Sequence, residues 1–169
     1  KAVAGLLGDY APGDPSHICS QEHRDLAREV AHKSIVLLKN EDRILPLNEH
    51  ELRSIALIGP SADVAQLDGR GSSVVQPCYA VTPKQGIEAR VPGVTVHYAK
   101  GCDIHSDDTG GFPAAIAAAK KADVVIFVGG LDDTQEGEEL DRVGGSVQLP
   151  ALQQALIVEL AAVNPNLIV

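Results

Sequence analysis

The sequence predicts an α/β protein, a mostly parallel sheet with helices on both faces. Three observations carry this. Short aliphatic runs recur at residues 54–59, 94–98, 123–130 and 166–169. The stretches between them have helical spacing. Three of those stretches open on proline, at Pro83, Pro113 and Pro150. Proline at the first helical position loses no hydrogen bond and presets φ. Strands alternating with helices build βαβ units around a parallel sheet, with right-handed crossovers.

The elements follow in order. Residues 1–19 are rich in Gly, Pro and Asp and read as a linker or extended segment. Residues 20–53 form a connecting helix and a short extended segment. Ser20 is placed to cap the helix, whose apolar positions are Leu26, Ala27, Val30 and Ala31. "SIVLLKN" either finishes this helix or forms a short buried strand, and periodicity does not decide between them. "RILPLNEHE" is a connection. Residues 54–169 are the α/β sandwich domain, truncated at its C-terminal end. Within it "SIALIG" is the first strand and "VTVHY" the second. "DVVIFVGG" is apolar on both faces, as a central strand covered on both sides must be. Thr82 is positioned as the N-cap of the helix at Pro83. The helix at Pro150 carries Leu152, Leu156, Leu160 and Val163 on one stripe and is stopped by Asn164-Pro165.

Composition narrows the function classes. At 169 residues, 44% hydrophobic and a mean hydropathy of +0.02, the chain can bury a core of about one domain. With 3% aromatic residues and neither Trp nor Met, that core is aliphatic. A net charge of −9 repels phosphate backbones, so nucleic acid is not an expected partner. Cys19, Cys78 and Cys102 are odd in number and far apart, which gives no disulfide framework and no CxxC pattern. The histidines do not cluster at ligand spacing, so neither a metal nor a cofactor is expected. No apolar run approaches the ~20 residues that span a membrane. The chain starts at Lys1 without Met and stops as a strand begins, and so reads as a piece of a longer polypeptide. No signal peptide is visible, which in a piece says little about location; the expectation leans to a secreted or periplasmic one.

Two long loops stand out. Residues 129–148 connect the central strand to the helix at Pro150, where ~2–6 residues are usual. Residues 59–81 leave the first strand. Both should project from the carboxyl edge of the sheet, where open α/β sheets bind ligands. The glycines of "IGPSAD" and "DGRGSS" are neither GxGxxG nor GxxxxGK[ST], and read as loop glycines. Ser72 and Ser73 lack a GxSxG elbow and read as turn or hydrogen-bonding residues. The 129–148 loop holds six carboxylates within ten residues: Asp132, Asp133, Glu136, Glu138, Glu139 and Asp141. Six acids on a loop are by default a solvated surface. Here Gly137 lets the backbone turn, and Arg142 gives Asp141 a partner. Carboxyl groups in a cleft are also the usual acid/base pair for sugars, where one must protonate a leaving glycosidic oxygen.

The ordered set "REVAHKSIVLLKNEDRILPL", "SIALIGPSAD", "VTPKQGI", "VHYAKGCD", "KKADVVIFVGGLDDTQEGEELDR" and "LPALQQALIVELAAVNPNLIV" resembles the second domain of family 3 glycoside hydrolases, over roughly residues 24–169. This is the β-glucosidase and β-xylosidase family. The resemblance implies a retaining, exo-acting β-D-glycoside hydrolase, β-glucosidase first and β-xylosidase close behind. Its substrate is a β-linked oligosaccharide or aryl glycoside. It implies a partner (β/α)8-like barrel upstream in the same polypeptide, which carries the Asp nucleophile, so that this piece alone hydrolyses nothing.

The family's "E-G-x-D-R"-like signature matches residues 138–142. It implies Glu138 as the general acid/base, with Glu136 as runner-up and a departure from Gly at Glu139. Asp141 and Arg142 are then loop supports, and Ser72 and Ser73 touch sugar hydroxyls. The surrounding acids, the nucleophile's negative charge and desolvation by bound sugar are together expected to raise the Glu138 carboxyl toward neutrality. The alternative is a non-catalytic carbohydrate-binding or interaction module of related fold, whose acidic loop would lie flat in solvent.

Overall fold

The computed structural model describes residues 13–67, 69–140 and 147–169. It divides into two compact units, Lys1–Glu41 and Asp42–Val169.

In the second unit four strands pair in parallel in the order β2-β1-β3-β4. They are β1 (Ser54–Ile58), β2 (Thr95–Ala99), β3 (Val124–Phe127) and β4 (Leu167–Ile168). Side chains alternate across a strand, and the core splits accordingly. Ala56, Ile58, Val125 and Phe127 face α3 (Phe112–Lys121) and α4 (Ala151–Val163), through Ala115, Ala119, Leu156 and Leu160. Ile55, Leu57, Val124 and Ile126 face the other way, against Ile87 and Val91 at α2 (Pro83–Arg90) and against Ile44, Leu47 and Leu52. Helices therefore cover both faces, as the alternating pattern predicts. The residues of "RILPLNEHE" also contribute to the core.

Thr82 caps α2 in a reciprocal box with Gln85: each side chain meets the other's backbone N–H. α3 starts one residue before Pro113. Pro150 is the N-cap of α4 and not its first residue, because its ψ of 138° is extended while its carbonyl already accepts from Gln153 and Gln154. Asn164 does more than stop α4. It is buried, donates to the carbonyls of Ala119 and Ala122 at 2.9 Å, and accepts from Asn166 N–H, tying the end of α3 to the start of β4. Asp123 precedes β3. Its Oδ2 accepts from the N–H groups of Arg53 and Ser54 at 2.9 Å each, which holds the carboxyl below its ordinary range. The Cys102 thiol is free and buried, and burial pushes it up. Cys78 is disulfide-bonded, contrary to the absence of a framework read from an odd, dispersed count.

In the first unit α1 (Gln21–Ser34) is capped by Ser20, whose hydroxyl accepts from His23 N–H. It buries none of its residues. Residues 35–38 form neither of the structures open to "SIVLLKN": they lie outside any helix or strand and are exposed, Leu38 at 92%.

Candidate active site

Parallel neighbours end on the same edge. β1 exits at Ile58 and β3 at Phe127, so residues 59–81 and 129–148 leave together. They also touch. Glu138 N–H donates to the Gly69 carbonyl at 2.7 Å. Gly137 is pressed so close that a Cβ there would overlap the same carbonyl. Its glycine is thus required by space. The left-handed turn falls one residue after Glu138, on Glu139, with φ of 62°.

The contact brings two of the expected site residues together. Ser72 opens its backbone N–H and its hydroxyl to one oxygen of the Glu138 carboxylate, the hydroxyl at 2.5 Å. Gly71, at φ +59°, lies under the carboxylate, and any Cβ there would collide with it. Ser73 serves its own turn: its hydroxyl donates to the Arg70 carbonyl at 2.6 Å and accepts from Gly69 N–H at 3.2 Å.

The Ser72 hydroxyl, and then its N–H, stabilise the ionised form and hold the Glu138 carboxyl below its ordinary range. The raised value is an expectation for the complete site, beside the nucleophile's charge and under bound sugar; in this chain the direction is downward. Glu138 is exposed in this chain, so water screens the neighbouring acids, whereas Ser72 is in direct contact.

The six acids do not act alike. Asp132 sits at the root of the loop and is hydrogen-bonded to Thr134 and His105. Burial works to raise its carboxyl, but these bonds outweigh it and hold it below its ordinary range. Asp133, Glu136 and Glu139 are exposed. The backbone of Glu136 donates to the Asp132 carbonyl, which turns the chain toward Gly137. Asp141 and Arg142 lie outside the described residues.

Sequence reasoning missed the residue that fixes the loop's origin. Gln153, on α4, is fully buried. Its amide accepts from Gly130 N–H at 2.9 Å and donates to the Gly130 carbonyl at 2.7 Å. A glutamine in the first turn of a helix carries no signal by itself. Its one mark in the sequence is a polar side chain beside Leu152, a mark that its neighbour Gln154 shares.

Among the described residues, two crevices open on this edge. One, about 430 Å³, lies between the loops from β1 and β3, lined by Ser61, Val64, Gly129, Gly130 and Leu131 among others. The chain goes from β1 outward to β2 and then returns past β1 to β3, so this is the point where the strand order reverses. The other, about 330 Å³, lies between the loops from β1 and β2 and is closed by His105 and Asp132.

A parallel sheet covered by helices on both faces, with an acidic loop and a Gly-Ser loop meeting at its carboxyl edge, defines an α/β sandwich domain. The chain belongs to glycosyl hydrolase family 3, whose C-terminal domain matches residues 35–169. It is 41% identical over 158 residues to probable β-D-xylosidase 6 of Arabidopsis thaliana, covering 93% of this chain and 19% of that protein. Among solved structures it resembles a family 3 exo-β-xylosidase in complex with a xylobiose aziridine probe, at a TM-score of 0.73 and 39% identity, covering 85% of this chain and 18% of the other. It also resembles a family 3 β-glucosidase of Bifidobacterium adolescentis, at a TM-score of 0.77 and 34% identity, covering 92% and 22%. The chain thus spans about a fifth of the length of the curated relatives it matches, 19% of the Arabidopsis protein.

Proposed function

We propose that this chain is the acid/base-bearing domain of a retaining, exo-acting β-D-glycoside hydrolase, completed by an upstream barrel that carries an Asp nucleophile. The observation that carries the proposal is the meeting of Glu138 with Ser72, which fixes a carboxylate of the family-like "E-x-x-D-R" segment on the carboxyl edge of the sheet. The names of the curated relatives favour xylose as the terminal sugar. Glucose is the second reading, supported by the likeness to the Bifidobacterium β-glucosidase.

The chemistry then runs in two steps. The barrel carboxylate attacks the anomeric carbon while Glu138, protonated, gives its proton to the departing glycosidic oxygen. Glu138, now ionised, takes a proton from the water that releases the sugar. The Ser72 bonds favour the ionised form that this second step uses. For the first step substrate must desolvate Glu138 and bring it near the nucleophile's charge, about 5–5.5 Å away in retaining enzymes.

The test is Glu138→Ala in the full-length enzyme. Turnover of a disaccharide should fall by about 10²–10⁴-fold, the usual weight of general acid/base catalysis. Glycosylation by a dinitrophenyl glycoside, whose leaving group needs no proton, should slow much less, and azide should restore turnover. If Glu136→Ala is crippled and Glu138→Ala is not, the role moves two residues upstream. If both keep near-normal activity, the loop is an acidic surface and the domain is a binding or interaction module.

A further inference from the structure

We propose that His105 is a positioning residue for the acid/base loop: it pins the upstream end of that loop, so that Glu138 is held from two sides. The inference rests on the assignment of Glu138 above.

His105 lies on the loop that leaves β2, a third segment at the same edge. Its Nε2 is 2.5 Å from Asp132 Oδ2 and 3.0 Å from Thr134 Oγ1. The partners fix the tautomer. The Thr134 hydroxyl points its proton at Asp132 Oδ1, 2.7 Å away, so its oxygen can only accept from His105. An ionised Asp132 likewise only accepts. The proton therefore sits on Nε2 and is shared by both oxygens.

The bonds between Asp132 and Thr134 are local and shape the loop without tying it to anything. The bond from His105 crosses 27 residues and ties that shape to the loop that leaves β2. The Asp132 side chain is 19% exposed, well shielded for a carboxylate. From Asp132 the hold passes down the loop: its carbonyl accepts from Gln135 and Glu136 N–H at 3.0 Å each, and Gly137 and Glu138 follow at once. Gly69 and Ser72 grip the far end. Gln153 fixes Gly130, but the backbone can still rotate at Leu131 between that anchor and Asp132. His105 removes that freedom.

The experiment compares His105→Ala, His105→Gln and Thr134→Val in the full-length enzyme, with Glu138→Ala as control. Rates are measured on a disaccharide and on a dinitrophenyl glycoside, and amide exchange is followed through residues 131–140. A displacement of about 1 Å costs about 10²-fold when a proton must be delivered. His105→Ala should therefore lower kcat on the disaccharide by about tenfold to a hundredfold, with little change on the activated glycoside. Exchange should quicken in residues 131–140 alone. His105→Gln, whose amide can offer a donor near Nε2, should recover most of the loss. Thr134→Val should show the same leaving-group dependence in weaker form, and it decides the question if His105→Ala does not fold. Equal losses on both substrates, or unchanged exchange in the loop, overturn the proposal, as does faster exchange without leaving-group dependence. Undiminished disaccharide turnover in Glu138→Ala overturns the acid/base assignment itself, and is read from that control independently of His105.

Discussion

Both hydrogen-bond donors of Ser72 converge on one carboxylate oxygen of Glu138, a residue 66 positions later in the chain. The contact joins two loops and sets the proton affinity of the group proposed to do the chemistry.

Ser72→Ala should therefore change a pH profile as well as a rate. The hydroxyl is the largest influence holding the Glu138 carboxyl down. Its loss should move that carboxyl up toward its ordinary value. The protonated form is the one that serves glycosylation, so the basic limb of kcat/KM should shift to higher pH in the full-length enzyme. An unshifted limb would mean that Ser72 does not control the Glu138 carboxyl in the free enzyme.

Gln153→Leu should loosen the origin of the acidic loop. It leaves the N–H and carbonyl of Gly130 without their buried partner. An unsatisfied buried polar group costs about 1–3 kcal/mol, and this domain should melt earlier by a corresponding amount. Faster exchange at the Gly130 amide would show that the loss is local to the loop's root.

Asp123→Asn should destabilise the domain in a pH-dependent way. The folded protein holds this carboxyl below its ordinary value because Arg53 and Ser54 N–H groups bind its ionised form. A depressed value contributes stability that is fully present above the unfolded value, about 3.9. It is lost as pH falls through the folded value. The gap in melting temperature between wild type and variant should be open at neutral pH and close under acid conditions. A gap that is constant with pH would assign the effect to shape and not to charge.

The sheet was legible because its signals are short-range. The period-2 split of β1 and β3 and the proline openings of α2 and α3 are readable within ten residues. The strand ends and the capping place of Pro150 were off by one to a few residues, because pairing partners and a single ψ angle decide them. "SIVLLKN" misled by composition: a continuous apolar run implies burial, but burial depends on what lies opposite, and in this chain residues 35–38 stay exposed.

By itself the sequence determined the α/β class, the two long loops and their common edge, since parallel strands must end together whatever their side chains. It also carried the family-like pattern that singles out Glu138. Tertiary structure alone decided that Ser72 reaches that carboxylate and lowers it, and that His105 and Gln153 bond to the upstream end of the loop. These are contacts between residues 66, 27 and 23 positions apart. No local spacing encodes such a contact, because a hydrogen bond depends on distance and direction in space, and the folded backbone alone sets both.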